Sequence, residues 1–212
     1  MGSSGLKFKS KGEYSMKQNV NDMNKEELKE FINENKQEIE EAMKIYVNII
    51  KDKLRENDNV HPIKKKAYNI KKINNYVSWV NEQIIMNDNA SRDIKVIPRR
   101  GEIWTCELGQ NIGSEENKIR PVIIIQNDTG NKNAPTTIIA PISNRPKKIA
   151  VHIELRESDY TLENGEKSHI TGTILAEQIK VVSKARLGRH IATLNKDFME
   201  LLDSKLRISL EL

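Results

Sequence analysis

The stretch Arg99–Asp128 reads RRGEIWTCELGQNIGSEENKIRPVIIIQND and determines the fold of the second half of the chain. It begins with a glycine turn, continues into a strand of alternating apolar residues, and loops out through the Gly-Ser-Glu sequence at 113–115. The chain then returns through Arg120 and Pro121 into a second apolar strand. Short strands joined by small polar turns predict a compact β domain, with one arginine where the loop re-enters the sheet.

The pattern of short strands continues to the end of the chain. β-branched residues bounded by Gly, Asn or Pro predict strands over Glu102–Leu108, Pro121–Gln126, Thr136–Ile142, Ala150–Leu155, Gly172–Ala176 and Ile179–Val182. Apolar spacing and a capping asparagine predict a closing helix over Asn195–Ile208. Many short strands followed by a helix favour a small, strongly bent barrel over residues 96–212.

Residues 23–95 follow a helical pattern instead. From Asn24 to Glu56 the apolar residues recur in steps of three, four and seven, and Asn24 with Glu27 has the form of a capping box. A second helix of similar pattern begins near Pro62. We therefore predict an N-terminal α-helical hairpin over 23–95, preceded by a flexible leader at 1–22.

Two paired helices bury only one seam, so some of their apolar residues need another partner. Phe31, Tyr46 and Trp79 are expected to pack on the second domain, on a second copy, or on another protein. A solvated helical appendage is the alternative. Met16 in the leader and Met23 directly after it are candidates for the natural start.

Composition restricts the function classes. The leader has no apolar core of the kind that export signals carry, and no apolar run reaches the roughly 18 residues of a membrane helix, so a cytoplasmic location is expected. Cys106 is the only cysteine, which excludes an intramolecular disulfide and predicts a small buried side chain. The net charge of +5 permits binding of a polyanion without indicating it, so any nucleic-acid function depends on a local site.

Two groups of basic residues are candidates for such a site. The guanidinium of Arg120 can bind two phosphate oxygens at once, although a surface salt bridge with Glu115 or Glu116 is the alternative. The segment NRPKK at 144–148 is a dense local basic patch that could guide phosphates, or it is a solvated loop.

Four motifs, RRGEIW, GSE, RPV and QND, follow one another as they do in the MazF/PemK toxins, which this segment resembles. IIAPIS, HIEL, ILAEQI and the final helix extend the resemblance from Ile97 to Leu212. It implies an α+β fold with a small SH3-like, CcdB-like β-barrel and a C-terminal helix. It also implies a homodimer, cleavage of single-stranded RNA at a short sequence without metal or cofactor, and an antitoxin partner that blocks the RNA groove.

The resemblance also implies site residues. Arg120 would be catalytic together with Ser143, which stands where the family more often has threonine. Glu177 is expected to be structural, with a general base as the alternative. Gln178 resembles a family residue that contacts RNA, and the alternative is a strand residue that satisfies the sheet or a dimer contact. The other RNA-binding candidates do not depend on the resemblance, and they are Gly113, Ser114, Glu115, Arg145, Lys147, Lys148 and His152. A rival mechanism with paired imidazoles has as its candidates His152 and His169, whereas His61 lies at a helix start and His190 in a basic turn.

Other functions remain open at this point. A non-enzymatic inhibitor of DNA gyrase, as CcdB is, would need an aromatic C-terminal end, whereas this chain ends ISLEL. A silenced binding module is a third possibility. The N-terminal helices are candidates for a built-in inhibitor, or for a docking module for an antitoxin or for ribosomes. If they inhibit, a truncation that begins near Lys95 is expected to be more active than the full chain.

Overall fold

The computed structural model describes residues 20–55, 63–90, 96–144 and 149–212. The chain divides into two compact units, Met1–Ile70 and Lys71–Leu212. Within the described ranges no helix is long and apolar enough to cross a membrane. The predicted leader at 1–22 lies almost wholly outside the described residues, as does His61. The domain boundary at residues 95/96 stays a prediction.

The N-terminal helical region is confirmed as two long helices, α1 (Lys25–Leu54) and α2 (Ile63–Ala90). The capping box predicted at the start of α1 is present. The Asn24 side chain accepts hydrogen bonds from the backbone N–H groups of Glu26 and Glu27, and the Glu27 carboxylate accepts one from the Asn24 N–H. These contacts satisfy donors that a helix start would otherwise leave without a partner.

The second unit contains an antiparallel sheet of eight strands. They are β1 (Glu102–Glu107), β2 (Ile119–Ile124), β3 (Thr136–Ser143), β4 (His152–Leu155), β5 (Tyr160–Leu162), β6 (Gly172–Leu175), β7 (Lys180–Ser183) and β8 (Leu187–Leu194). The strand order is β4-β6-β3-β2-β1-β8-β5, and β7 pairs with β3. Strand β3 therefore has different partners along its length, which curls the sheet.

Besides residues 71–90 of α2, the described part of this unit contains the helices α3 (Asp128–Asn133) and α4 (Lys196–Leu210). Phe198 and Leu202 of α4 are buried in a core formed by isoleucine, leucine and alanine side chains of the sheet. A second, smaller core lies around Cys106, Val122 and Ile124. The predicted α+β fold with a curled sheet and a C-terminal helix is confirmed.

Cys106 is fully buried, as expected from its place in the alternating strand. Burial raises the pKa of its thiol to about 12, so the nucleophilic thiolate is scarce at neutral pH. We expect iodoacetamide to leave the folded protein unlabelled at pH 8 and to label one thiol in denaturant. Mass spectrometry measures both, and rapid labelling of the folded chain would contradict this burial.

Three elements differ from the sequence predictions. Strands β5 and β8 and the short helix α3 were not predicted. His190 was predicted in a basic turn, and this prediction is wrong, because His190 lies within β8. Its polar neighbours face solvent while Ile191 and Ala192 are buried, and its ring stacks on Trp104 with centroids 5.3 Å apart. The sequence suggested a turn because the basic residues near His190 lie on the exposed face of the strand.

Two of the opening motifs hold the fold together. The Arg100 guanidinium donates to the carbonyl of Ile125 and forms an ion pair with Asp203 of α4. The backbone N–H of Arg100 donates to the Asp128 carboxylate at 2.7 Å, and Asn127 caps α3. RRG and QND thus tie the start of β1 to the end of β2 and to α4.

Candidate active site

Arg120 and Ser143 lie close together at one end of the sheet. Val122 of β2 pairs with Pro141 of β3 in antiparallel register. In an antiparallel pair, moving back along one strand corresponds to moving forward along the other. Two residues before Val122 and two residues after Pro141, Arg120 therefore lies beside Ser143. Ser143 is only 1% exposed, whereas the Arg120 side chain is about one-third exposed. The sheet therefore places a residue with a cationic side chain beside one with a buried hydroxyl.

Glu116 connects these two residues. Its Oε1 atom accepts a hydrogen bond of 2.8 Å from the Ser143 hydroxyl, and its Oε2 atom lies 3.2 Å from Nε of Arg120. Arg120 Nε also donates to the carbonyl of Asn117 at 3.2 Å. The glutamate side chain is only 14% exposed. One largely buried carboxylate therefore contacts both residues that the family resemblance marks as catalytic.

Sequence reasoning did not identify Glu116 as a site residue. It appeared only as a possible salt-bridge partner of Arg120, and that ion pair is present. The signal in the sequence is weak. Glu116 is the second glutamate of GSEE and stands four residues before Arg120. A glutamate in an exposed turn would have the same sequence pattern.

The segment that carries Glu116 connects β1 to β2, and we call residues 108–118 the active-site loop. Gln178 holds it to the turn between β6 and β7. The Gln178 Oε1 atom accepts from the backbone N–H of Glu116 at 3.0 Å, and its Nε2 atom donates to the carbonyl of Ser114 at 3.3 Å. Asn111 closes the loop internally by donating to the carbonyls of Leu108 and Glu116. The backbone of the loop is thus fixed at the position of Glu116.

A glycine gives the neighbouring strand room to pass Ser143. Gly172 of β6 has a φ of +140°, which L side chains rarely adopt. A Cβ atom there would lie 2.8 Å from the carbonyl oxygen of Ser143 and 2.8 Å from Oδ1 of Asn144. Any larger residue at 172 would therefore displace the end of β3 and the serine with it.

A cavity of about 230 Å³ adjoins Arg120. Its apolar lining includes Ile142, Ile170 and Ile191, and its polar lining includes Asn144, His169 and Thr171. Glu166 and Arg189 also line it and form an ion pair with Oε1 and Nη1 2.6 Å apart. The Glu166 side chain is only 12% exposed. The cavity thus brings apolar side chains and polar groups together next to Arg120.

A second cavity, of about 260 Å³, lies on the Glu116 side and is lined by Glu115, Glu116, Glu177 and Gln178 among others. His152 does not line this cavity, but its Nε2 atom lies 2.8 Å from Oε1 of Glu177, which does. The imidazole is almost completely buried. His152 is therefore placed to orient Glu177, while His169 lines the cavity that contains Arg120.

The remaining predicted RNA-binding residues have different surroundings. Gly113 and Ser114 are exposed in the active-site loop, and Glu115 beside them is exposed as well. The Gln178 amide is engaged with the backbone of that loop. Arg145, Lys147 and Lys148 lie outside the described residues. Their roles, and that of His152, stay predictions.

Comparison with known proteins gives one family and several solved structures. Residues 99–210 match the family model described as "PemK-like, MazF-like toxin of type II toxin-antitoxin system". A mycobacterial endoribonuclease solved in complex with its cognate antitoxin is 21% identical, with 54% of this chain and 96% of that chain covered and a TM-score of 0.45. MazF from Deinococcus radiodurans is 16% identical, with 56% and 100% covered and a TM-score of 0.46. A MazE–MazF structure from the same organism is 16% identical, with 55% and 97% covered and a TM-score of 0.43.

Proposed function

We propose that this chain, which belongs to the family of PemK-like, MazF-like toxins of type II toxin–antitoxin systems, is an endoribonuclease. It would cleave single-stranded RNA without a metal ion and at a preferred short sequence. The observation that carries the proposal is that the Glu116 carboxylate contacts both other residues. Its Oε1 atom lies 2.8 Å from the Ser143 hydroxyl, and its Oε2 atom lies 3.2 Å from Nε of Arg120. A base, a guanidinium and an orienting hydroxyl together are sufficient for attack of an RNA 2′-hydroxyl on the adjacent phosphate.

Glu116 is proposed as the general base. Arginine stays protonated in proteins and a serine hydroxyl is not basic, whereas carboxylates are ionised at neutral pH. The Glu116 carboxylate would take the proton of the 2′-hydroxyl as the 2′-oxygen forms a bond to phosphorus. The bond from phosphorus to the 5′-oxygen breaks, and this oxygen takes a proton from water. The products are a 2′,3′-cyclic phosphate and a 5′-hydroxyl.

Arg120 is proposed to stabilise the charge on the phosphorane. Both hydrogen-bonding contacts described for its guanidinium use Nε. Since Nε contacts Glu116 and Asn117, the edge formed by the two Nη groups is the one proposed to make paired contacts with phosphate oxygens. Nε would then keep Glu116 in place while the Nη groups bind the substrate.

Ser143 is proposed to position Glu116. Because the serine is almost fully buried and its hydroxyl donates to Oε1 of the carboxylate, it acts on the glutamate more directly than on RNA. A serine serves this purpose as well as the threonine more usual in the family, since both have the hydroxyl. Threonine adds only a methyl group that restricts its rotation.

The cavity beside Arg120 is proposed to hold a nucleobase next to the scissile phosphate and so to supply sequence selectivity. Glu166 offers acceptors and Arg189 offers donors at its edge, so the pair can bind the polar edge of a base. We expect Glu166→Gln to change the preferred base at one position of the cut site while lowering the total cleavage rate by less than about tenfold. Primer extension on a long RNA measures this, and an unchanged cut pattern would contradict the assignment.

The partners follow from the same proposal. We propose a homodimer that a cognate antitoxin binds and inhibits, and a cytoplasmic location where mRNA is accessible. The antitoxin complexes are a property of the similar proteins named above, and for this chain they are an expectation.

The direct test of the proposed activity is incubation of the full chain with a long single-stranded RNA in excess EDTA. We expect discrete fragments, and primer extension would map their ends to one short sequence. A chain that leaves the RNA intact with and without divalent ions would be a binding protein of this fold and not an endoribonuclease.

A further inference from the structure

Helix α2 precedes the segment matched by the toxin family, yet residues 71–90 belong to the same compact unit as the sheet. The contact is made by Trp79. Its indole ring lies against Gly109 of the active-site loop, and the guanidinium of Arg186 lies over the ring at 5.0 Å from the centroid. A cation over the face of an indole ring attracts the ring and stabilises its place against Gly109. Trp79 is thus a point where α2 is attached to the active-site loop.

The loop begins and ends at this contact. The backbone N–H of Lys118 donates to the carbonyl of Gly109 at 2.8 Å, and that of Leu108 donates to the carbonyl of Lys118 at 3.0 Å. Gly109 itself donates to the carboxylate of Glu107 at 2.9 Å. The indole therefore packs on the residues that close the loop at its base.

Gly109 fits the indole so closely that no other residue would be accommodated. Its φ is +85°, and a Cβ atom there would lie 2.3 Å from a ring carbon of Trp79. On the strand side, Arg186 donates from Nη1 to the carbonyl of Glu107 at 3.1 Å. The position of the indole is thus coupled to the last residue of β1 as well as to the first glycine of the loop.

The other end of the same loop carries Glu116. There the Glu116 backbone N–H donates to Gln178 and its carbonyl accepts from Asn111, while Trp79 contacts the base of the loop at Gly109. We propose that Trp79 is a positioning residue for the active-site loop, acting through Gly109 on the placement of Glu116. The predicted effect on catalysis rests on the proposed function. The predicted effect on the order of the loop is independent of it.

This role differs from occlusion of the site. The two cavities that contain Arg120 or Glu116 are lined by residues 108–191, whereas residues of α2 line cavities beside Gln110 and Arg186. Residues 71–90 thus line neither of these two cavities, whereas Trp79 packs on the base of the loop. A supporting role predicts that loss of the Trp79 contact lowers activity, the reverse of what a built-in inhibitor predicts.

The test compares full-chain Trp79→Ala with Trp79→Phe, which keeps a ring against Gly109. The matched control is Tyr68→Ala, which removes a highly exposed aromatic side chain of the same helix. Small displacements of a catalytic group can cost up to about 100-fold in rate. We expect Trp79→Ala to lower kcat about tenfold or more with KM changed less than threefold, Trp79→Phe to restore most of the rate, and Tyr68→Ala to match wild type.

Two further readouts separate positioning from a loss of stability. Hydrogen exchange of residues 109–118, measured by mass spectrometry, should become faster in Trp79→Ala and not in Tyr68→Ala, whether or not the protein cleaves RNA. In a Glu116→Gln background, Trp79→Ala should have little further effect on kcat. Unchanged exchange of the loop would overturn the proposal, and so would a Phe variant as slow as the Ala variant. Faster exchange in a chain without RNase activity would refute the proposed function alone.

Discussion

Arg120→Ala is expected to lower the rate of RNA cleavage by about 100- to 1000-fold, the usual effect of removing one group that stabilises transition-state charge. The fold should survive, because the Arg120 side chain is about one-third exposed and its hydrogen-bonding contacts are all within or beside the active-site loop. Arg120→Lys should recover only part of the rate, since an ammonium group cannot form the paired contacts of a guanidinium.

The control for Arg120 is Arg207→Ala, which removes an exposed arginine from α4 without touching the site. Initial rates on one RNA substrate, measured with circular dichroism to verify folding, distinguish the variants. If Arg120→Ala cleaves at more than about one-tenth of the wild-type rate, the guanidinium does not stabilise the transition state.

Glu116→Gln is expected to lower the rate by about 100- to 10,000-fold, the range for loss of a general base. The substitution keeps the size of the side chain and an oxygen that can accept from Ser143, so the loop should keep its place. It removes the group that accepts a proton.

The opposite result would have a clear meaning. The negative charge of Glu116 also lies beside the guanidinium that would bind a phosphate, so a carboxylate that only repels RNA would make Glu116→Gln faster than wild type. Glu154→Gln, an exposed glutamate on β4, is the control for a change of one charge. Pre-steady-state rates of both variants and wild type on a short RNA would distinguish a base from a competitor.

Local patterns were sufficient to predict much of the fold. Alternating apolar residues indicated β1 and β2, and Asn24 with Glu27 indicated the start of α1. They failed for β8, where Arg189 and His190 lie on the polar face of a half-buried strand. They also failed for α3, a helix of six residues that is too short to show a period.

The candidate site could be predicted from the sequence only in part, and the reason differs from that for the fold. Arg120 and Ser143 stand in recognisable motifs, but Glu116 becomes a site residue only because its loop folds back. That folding depends on Gln178, which is 62 residues away in the sequence, and on Ser143, which is 27 away. Trp79 was expected to pack on something outside its own helix, but a helical period cannot identify Gly109 as its partner.

The central claim is that the 2′-hydroxyl of the RNA is the nucleophile at a site formed by Glu116, Arg120 and Ser143. The most direct test is one RNA oligonucleotide with a single 2′-deoxy substitution immediately 5′ of the mapped cut, incubated with the full chain in EDTA beside its unmodified counterpart. We predict that the unmodified RNA gives a 2′,3′-cyclic phosphate and a 5′-hydroxyl, and that the deoxy oligonucleotide is not cut at that position. Cleavage of the deoxy oligonucleotide there, or products with a 5′-phosphate, would contradict the account.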